Sequence, residues 1–402
     1  MTIQLVLTSS ISNISSPPAR FSFHLASVES TSSNLDGDCD AIHDHASGFS
    51  RFLDALKSQA SIDDKRVIYI CHRVVHGGDY NEPILITQES YDHIERLSDL
   101  APLHNGAALS VIKACISAVP DAKSIAYFDT SFHRSIPLHI STSAIDPQIA
   151  KQRGLKKYGF HGLSCKAPES LNLIVLHLGS GASACAIKGG RSLDTSMGLT
   201  PLDGLPGATR SGSIDPSLIF HYTNKAGRMT HDPNMATHVG VTRAEDILNR
   251  KSGWKSLTGT TDFGQISAHA ELDNPSPDVA ERNPNRLAFD LFVDRIIQFI
   301  GAYHLKLGAD VDALVFAGGI GEKSVELRKV TSQKIECLGY PSLDASLNDG
   351  ASKQKETVIQ ISSHSFNESA AVRPKQILMC KTDEQYEMAH ECAQDRSLWR
   401  ES

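Results

Sequence analysis

The sequence predicts an α/β protein, and three observations indicate this fold class. Short apolar runs rich in β-branched and aromatic residues alternate with longer segments whose apolar residues recur at helical spacing. Two such runs are joined by a glycine turn, and another run leads through glycines into a helical pattern. At 402 residues, with 40% hydrophobic and 21% charged side chains, the chain can form two or three domains with cores of their own.

The individual strands and helices are predicted from the same two patterns, the short apolar runs and the helical spacing of apolar residues. We expect strands at residues 3–7, 21–25, 66–75, 124–128, 173–178, 182–188, 313–317 and 376–380. We expect helices at residues 48–58, 88–100, 106–118, 285–307 and 323–338. We expect surface loops in the polar segments 34–45 and 344–354. The helix at 285–307 places Leu287, Phe292, Ile300 and Leu305 on one broad apolar face, which predicts a core helix.

Charge and cysteine usage narrow the class of protein. Lys and Arg number 39 against 46 Asp and Glu, a net charge of −7 with no long run of one sign, so we expect neither a nucleic-acid partner nor a membrane surface. No apolar stretch approaches the roughly 18 residues of a membrane helix. The eight cysteines are scattered without a C-x-x-C pair, which predicts reduced, mostly buried thiols and a cytoplasmic location.

The sharpest local motif is Gly179-Ser180-Gly181 between two strand-like runs. The string satisfies G-x-G-x-x-A, but a dinucleotide fingerprint requires a helix after the glycines. A second strand follows instead, so we predict a hairpin whose backbone N–H groups can approach a phosphate. A plain tight turn is an equally good interpretation of this motif by itself.

A second glycine-rich motif follows the predicted strand at 313–317. Gly318, Gly319 and Gly321 lead into a helical pattern, at the end of a strand where α/β folds bind nucleotides. Close packing of helix on strand could also require these glycines. Elsewhere, Asp129 and His161 follow predicted strands or turns, and the irregular passage 195–216 holds one cation, Arg210. Long irregular passages in compact domains tend to be functional.

Nine strings then occur in an order that resembles acetate kinases, above all those of the fungal branch. They are HRVVHGG, APLHN, FDTSFH, YGFHGLS, HLGSGAS, DTSMGLTPLDGL, TRSGSIDP, TTDFG and AGGIGEKS, within residues 66 to 390. The resemblance implies the actin/Hsp70/sugar-kinase-like fold, with two duplicated βββαβαβα domains and an interdomain active-site cleft. It implies an N-terminal domain of residues 1–140 plus 383–402, and a nucleotide-binding domain of residues 141–382.

The resemblance also implies the chemistry. Acetate kinases reversibly transfer the γ-phosphoryl group of ATP to acetate, giving acetyl phosphate and ADP, with Mg²⁺ or Mn²⁺. Asp129, His161 and Arg210 match the catalytic residues, and Arg73 matches the arginine that holds the acyl carboxylate. The methyl pocket matches Val75, Leu103, Phe160 and Pro201. His104 and His133 are expected to support the site. A homodimer is expected by the same resemblance.

The remaining site residues match the nucleotide and metal positions of the family. Nucleotide contacts are expected from Arg20, His177, Leu178, Gly179, Ser180, Gly181, Asp262, Phe263, Gly264, Gly319, Ile320, Gly321, Glu322 and Lys323. Metal contacts are expected from Thr8 and Glu384.

Two departures from the family pattern leave alternatives open. The family's N-A-G-S-S-S-L-K loop is replaced by the longer stretch 8–20, which lacks glycine, and the chain spends only eleven residues between His161 and Leu173. We therefore expect nucleotide binding with reduced turnover. The alternatives are a catalytically impaired paralogue that retains nucleotide binding, or a propionate or butyrate kinase.

Overall fold

The computed structural model describes residues 3–14, 18–26, 34–98, 102–229, 241–276, 278–363 and 374–399, with backbone alone for 102–104. Contacts divide the chain into two compact units. The first comprises the described residues of Met1–Phe128 and Glu384–Ser402, and the second those of Asp129–Thr230 and Val241–Asp383. The domain boundaries predicted from the sequence, at 140 and 383, stay a prediction.

The described strands and helices follow in chain order. The strands are β1 Leu7–Ser12, β2 Ala19–Leu25, β3 Leu35–Cys39, β4 Tyr69–Val74, β5 Ile84–Leu85, β6 Lys123–Phe128, β7 Leu173–Leu178, β8 Ala182–Lys188, β9 Arg191–Thr195, β10 Ala313–Ala317, β11 Val358–Gln360 and β12 Gln376–Cys380. The helices are α1 His45–Ala60, α2 Gln88–Leu97, α3 Pro102–Ala118, α4 Leu138–Ser141, α5 Pro147–Arg153, α6 Leu218–Tyr222, α7 Arg243–Arg250, α8 Gly253–Thr258, α9 Phe263–His269, α10 Val279–Arg282, α11 Pro284–Lys306, α12 Gly318–Lys323, α13 Val325–Lys334, α14 Ala345–Gly350 and α15 Glu384–Gln394. Short 3-10 helices lie at Asp64–Arg66, Ser131–Ser135, Gly162–Ser164, Glu336–Leu338 and Ala351–Lys353.

The first unit contains two small sheets. In the antiparallel sheet β1-β2-β3, Phe21 and Phe23 turn inward against α1, because alternate residues of a strand share a face. The other sheet has the order β4-β6-β5, with β4 and β6 parallel. Its buried Val74 and Phe128 pack against Ile94 of α2. The parallel strand β4 carries the predicted site residue Arg73.

The second unit is built on a six-stranded sheet of order β11-β12-β10-β7-β8-β9. Both faces of β7 are buried: Ile174 and Leu176 lie in one core cluster, and Leu173 and Val175 in another. Such strands read as continuous apolar runs, which is why the sequence predicted β7, β8, β10 and β12 at their observed bounds.

Several predicted elements differ from the structure. The first strand is at Leu7–Ser12 rather than 3–7, and the predicted loop 34–45 contains strand β3. The predicted loop 344–354 contains helix α14, started by Asp344, whose side chain accepts a hydrogen bond from the Leu347 amide at 2.9 Å. The two loop predictions failed for the same reason. Both segments are polar and largely exposed, so their sequences show no apolar period that would indicate a strand or a helix.

The predicted helices also needed correction at two places. In α11, Phe292 and Ile300 are buried as predicted, but Leu287 and Leu305 are 41% and 78% exposed. The apolar face is instead completed by Phe289 and Tyr303, which are 0% and 1% exposed. The predicted helix 323–338 is divided into α13 and a 3-10 turn, and it is preceded by the separate helix α12.

The predictions about membrane helices and about the cysteines can be compared with the described residues. No helix among them is long and apolar enough to cross a bilayer. All eight cysteines are free thiols, and Cys115, Cys165, Cys185 and Cys392 are buried, whereas Cys337 is exposed.

Candidate active site

The turn between β7 and β8 lies against Arg210. β7 and β8 pair antiparallel from Leu173 with Ile187 to Leu178 with Ala182, so the predicted hairpin is confirmed. A Cβ atom built on Gly181 would lie 2.9 Å from Nη1 of Arg210 and 3.8 Å from Nε2 of His161. Two nitrogen-bearing side chains therefore converge on one glycine, and a larger residue there would displace the guanidinium.

His161 is held in an unusual backbone conformation. Its φ angle is +59°, in the left-handed region that non-glycine residues seldom adopt. Its Nδ1 lies 2.8 Å from the hydroxyl of the buried Ser183 on β8, and its ring stacks on that of His177 at 4.3 Å. When Ser183 donates to Nδ1, the proton of the neutral ring is on Nε2, the atom nearer Gly181. Backbone strain of this kind concentrates at functional sites.

Gly162 joins the His161 turn to Asp129. The Gly162 amide donates to the Asp129 carbonyl at 3.0 Å, and a Cβ on Gly162 would lie only 2.2 Å from that oxygen. Only glycine permits this approach. Asp129 itself is fully buried. The structure thus links the backbones of two predicted catalytic residues through a glycine that sequence reasoning did not single out.

His133 is hydrogen-bonded to the residue that precedes His161. Its Nε2 donates to the Phe160 carbonyl at 2.9 Å, because a carbonyl can only accept, and its Nδ1 lies 2.8 Å from the Ser192 hydroxyl. Nε2 therefore carries a proton in this arrangement. The methyl-pocket candidate Phe160 is therefore held from its backbone while its side chain, 1% exposed, is buried.

The irregular passage after β9 carries Arg210 to the hairpin. The Ala208 amide donates to the Ser180 carbonyl at 2.9 Å, and a Cβ on Gly207 would lie 2.6 Å from the same oxygen. Nη1 of Arg210 donates to the carbonyl of Pro201 at 3.4 Å. Burial lowers the pKa of the Arg210 guanidinium from its usual value. The predicted residues Gly181, His161, Pro201 and Arg210 are thus neighbours within the second unit.

In the first unit, Arg73 and Glu384 form an ion pair. Nη1 of Arg73 lies 2.6 Å from Oε2 of Glu384, the first residue of α15. Val75 follows β4 directly and is half-buried. The side chains of Leu103 and His104, which the sequence also predicts for the site, lie outside the described residues. The expected link of Glu384 to a metal stays a prediction, and Arg73 is one partner of its carboxylate.

The nucleotide candidates of the second unit occupy two places. Asp262 caps α9 by accepting hydrogen bonds from the Gly264 and Gln265 amides at 2.8 and 3.4 Å. Phe263 is buried against Phe289 and Phe292, so only its backbone is available to a ligand. The other set, 319–323, lies in α12, which begins directly after β10. The predicted glycine turn is therefore a short helix.

Thr8 and Arg20 belong to paired strands rather than to a loop. Thr8 of β1 pairs with His24, and Arg20 of β2 pairs with Ser12. The Arg20 guanidinium lies 2.9 Å from the Asp36 carboxylate in an exposed ion pair. The prediction that a loop replaces the family loop over 8–20 is wrong for residues 8–12 and 19–20, which are paired β-strand. Across the described residues, no group of three or more His, Cys, Asp or Glu side chains could hold a metal ion.

Comparisons with known proteins then identify the family. The sequence model of the acetokinase family matches residues 11–389. The chain belongs to the acetokinase family. A probable acetate kinase from Emericella nidulans is 46% identical to this family member, over 99% of this chain and 93% of the relative. A probable acetate kinase from Neurospora crassa is 49% identical over 83% of this chain and 76% of the relative.

Solved structures of the family agree. A propionate kinase from Francisella tularensis superposes with a TM-score of 0.80 at 30% identity, covering 96% of this chain and 92% of that one. The acetate kinase of Porphyromonas gingivalis gives a TM-score of 0.74 at 26% identity with the same coverage. The family and the fold class predicted from the sequence motifs are therefore confirmed.

Proposed function

We propose that this acetokinase-family protein is an acetate kinase, which reversibly transfers the γ-phosphoryl group of ATP to acetate. The observation that carries the proposal is the convergence of Arg210 and His161 on Gly181. A guanidinium and an imidazole next to a glycine turn form a site suited to a transferring phosphoryl group, whose charge is spread over three oxygens. An arginine in this role can raise the rate by about 10³–10⁵.

The acceptor needs no general base. Acetic acid, like the carboxyl side chains, titrates well below pH 7, so its carboxylate is already a nucleophile at neutral pH. Catalysis then depends on positioning and charge neutralisation. We therefore assign Asp129 the role of organising the phosphoryl group and any associated cation, rather than that of accepting a proton.

Arg73 is the proposed binding group for the acetate carboxylate. Its ion pair with Glu384 supports this role, because a glutamate carboxylate presents the same planar pair of oxygens as acetate. Val75, Leu103, Phe160 and Pro201 are the proposed surroundings of the methyl group. A pocket of this kind discriminates one methylene by about 1–3 kcal/mol, so a preference for acetate over propionate should be moderate.

The cofactor, assembly and location belong to the same proposal. Mg²⁺ in kinases is held by substrate phosphates and water with one or two carboxylates, so an ion carried by ATP would need little from the protein beyond Glu384. The expected contact of this ion with Thr8, an exposed residue of β1, stays a prediction. The family resemblance supports a homodimer, and the free thiols support a cytoplasmic location.

A hydroxylamine trap for acyl phosphate tests the function. The full chain is incubated with ATP, Mg²⁺ and acetate, propionate or butyrate, and the hydroxamate is measured. We expect the largest kcat/KM for acetate, and loss of product in Arg210→Ala. A larger value for propionate or butyrate would contradict the proposed substrate. A folded chain that forms no acyl phosphate from any of the three acids would be an impaired paralogue.

A further inference from the structure

Arg328 of α13 is a fully buried arginine. It is 0% exposed, and its four hydrogen bonds all go to neutral oxygen atoms. Nη1 donates to the carbonyls of Gly321 and Glu322 at 2.9 and 2.8 Å. Nε and Nη2 donate to the side-chain and main-chain oxygens of Asn348 at 2.7 and 2.9 Å. One guanidinium thus joins the C-terminal turn of α12 to α14.

The chemistry of this arginine is unusual for a purely structural residue. A buried cation needs hydrogen bonds to offset its lost hydration, and an apolar side chain of similar volume is often at least as stabilising. Burial lowers the pKa of Arg328, whereas Glu326 and Asp349 raise it. The cation lies at the carbonyl end of α12, where a positive charge is favourable. An apolar residue has no donors, so it could not hold the Gly321 and Glu322 carbonyls in place by hydrogen bonds.

Other contacts also anchor α12, at the Glu322 side chain and at Gly318. The Glu322 carboxylate accepts hydrogen bonds from the Thr382 amide and hydroxyl at 3.2 and 3.3 Å. Gly318, with φ +74°, lies so close to β7 that a Cβ on it would approach the Leu178 carbonyl at 2.8 Å. A Cβ on Gly319, by contrast, would meet nothing within 4 Å. The helix is fixed at both ends and open beside Gly319.

We propose that Arg328 is a positioning residue for adenine nucleotide. By fixing the Gly321 and Glu322 carbonyls, it determines the path of residues 319–323, which present their backbone to the nucleotide. The inference rests on the proposed function, in which this segment contacts ATP and ADP. Arg328 does not touch the ligand itself; it acts through α12.

The test measures ADP affinity by calorimetry, together with KM for ATP and for acetate, in the full chain. Arg328→Lys keeps the charge but cannot span the carbonyls and Asn348 at once. We expect it to weaken ADP binding at least tenfold and to raise KM for ATP, with KM for acetate within twofold. The matched control is Leu327→Ala, whose side chain is also 0% exposed in α13 but packs in the apolar core. It should lower stability with ADP affinity within twofold.

Unchanged ADP affinity in Arg328→Lys would overturn the proposal, as would an equal loss in Leu327→Ala. If Arg328→Lys does not fold, Asn348→Ala decides, because it removes the Nε acceptor and leaves the arginine in place. Threefold or greater weakening of ADP binding would support the proposal, and unchanged binding would overturn it. Binding is measured without acetate, so a wild-type chain that binds ADP but forms no acetyl phosphate would contradict the proposed function alone.

Discussion

The guanidinium of Arg73 and the carboxylate of Glu384 lie 2.6 Å apart at the start of α15. Tyr69, Cys71 and Arg73 share one face of β4, since side chains of a strand alternate. Along this face the centroids of the Tyr69 and Trp399 rings lie 4.9 Å apart, and the neighbouring Cys392 thiol, together with burial, raises the pKa of the Cys71 thiol. The C-terminal segment thus runs antiparallel to β4. The contacts of Tyr69 and Cys71 with the C-terminal segment therefore position Glu384 against Arg73.

Replacing Arg73 should impair acetate binding more than turnover. We expect Arg73→Ala to raise KM for acetate at least tenfold, or about 1.4 kcal/mol, because a charge-assisted pair with the carboxylate is lost. KM for ATP should stay within twofold. Steady-state kinetics, with acetate and ATP varied in turn, measure the two KM values. Arg66→Ala, an exposed arginine of the same unit, is the control and should change neither constant. An unchanged KM for acetate in Arg73→Ala would remove this residue from the site.

Arg210→Ala should act mainly on kcat. A guanidinium that neutralises charge developing in the transition state contributes little to ground-state binding, so we expect kcat to fall by about 10³ with ADP affinity nearly unchanged. Turnover is followed by the hydroxamate assay and ADP affinity by calorimetry. Arg191→Ala, an exposed arginine on β9, should behave like wild type. Near-normal kcat in Arg210→Ala would contradict the assigned role.

A methyl group at Gly181 should reduce activity through Arg210. The added Cβ of Gly181→Ala would stand 2.9 Å from Nη1, closer than van der Waals contact, so the guanidinium must move. We expect kcat to fall at least tenfold with the unfolding free energy little changed. Gly179→Ala adds the same methyl group in the same turn, but its nearest neighbour is the Gly181 carbonyl at 3.4 Å. Equal losses in the two variants would show that the turn, not the position of Arg210, controls kcat.

The first unit should lose stability in mild acid because of His72. Burial of its imidazole lowers the pKa to about 4 from 6.5. The unfolded chain therefore takes up a proton between pH 6.5 and 4 while the folded unit does not, so stability falls as pH falls through this window. The full effect is up to about 3 kcal/mol.

Trp399 provides the measurement for this prediction. The chain has two tryptophans, and Trp399 lies against Tyr69 in the first unit, so its fluorescence in Trp254→Phe reports that unit. Urea unfolding at pH 7.5 and pH 5 gives the change in unfolding free energy. His72→Gln should show a smaller change than the parent, since no buried imidazole is left to titrate. The same pH dependence in both proteins would exclude His72 as the cause.

Burial decided which parts of the fold could be predicted. Strands such as β7 and β10 are apolar on both faces, so their sequence pattern is strong and their bounds are predicted correctly. The strand β3 and the helix α14 are polar and largely exposed, apart from the buried Asn348 of α14. The strand β3 forms because β2 pairs with it, and Asp344 caps α14. No period in their own sequence indicates this.

The candidate site likewise has features that the sequence predicts and features that only the tertiary structure shows. The amino-acid sequence by itself determined the α/β class, the β7–β8 hairpin, the family and the identities of the residues expected to act, since these depend on local pattern and ordered motifs. Only the tertiary structure decided that Arg210 meets Gly181, that His161 adopts φ +59°, that Glu384 pairs with Arg73 and that Arg328 holds α12. These relations join residues far apart in the chain, and they are set by close packing and by the hydrogen-bonding needs of buried polar groups, which a linear pattern does not record.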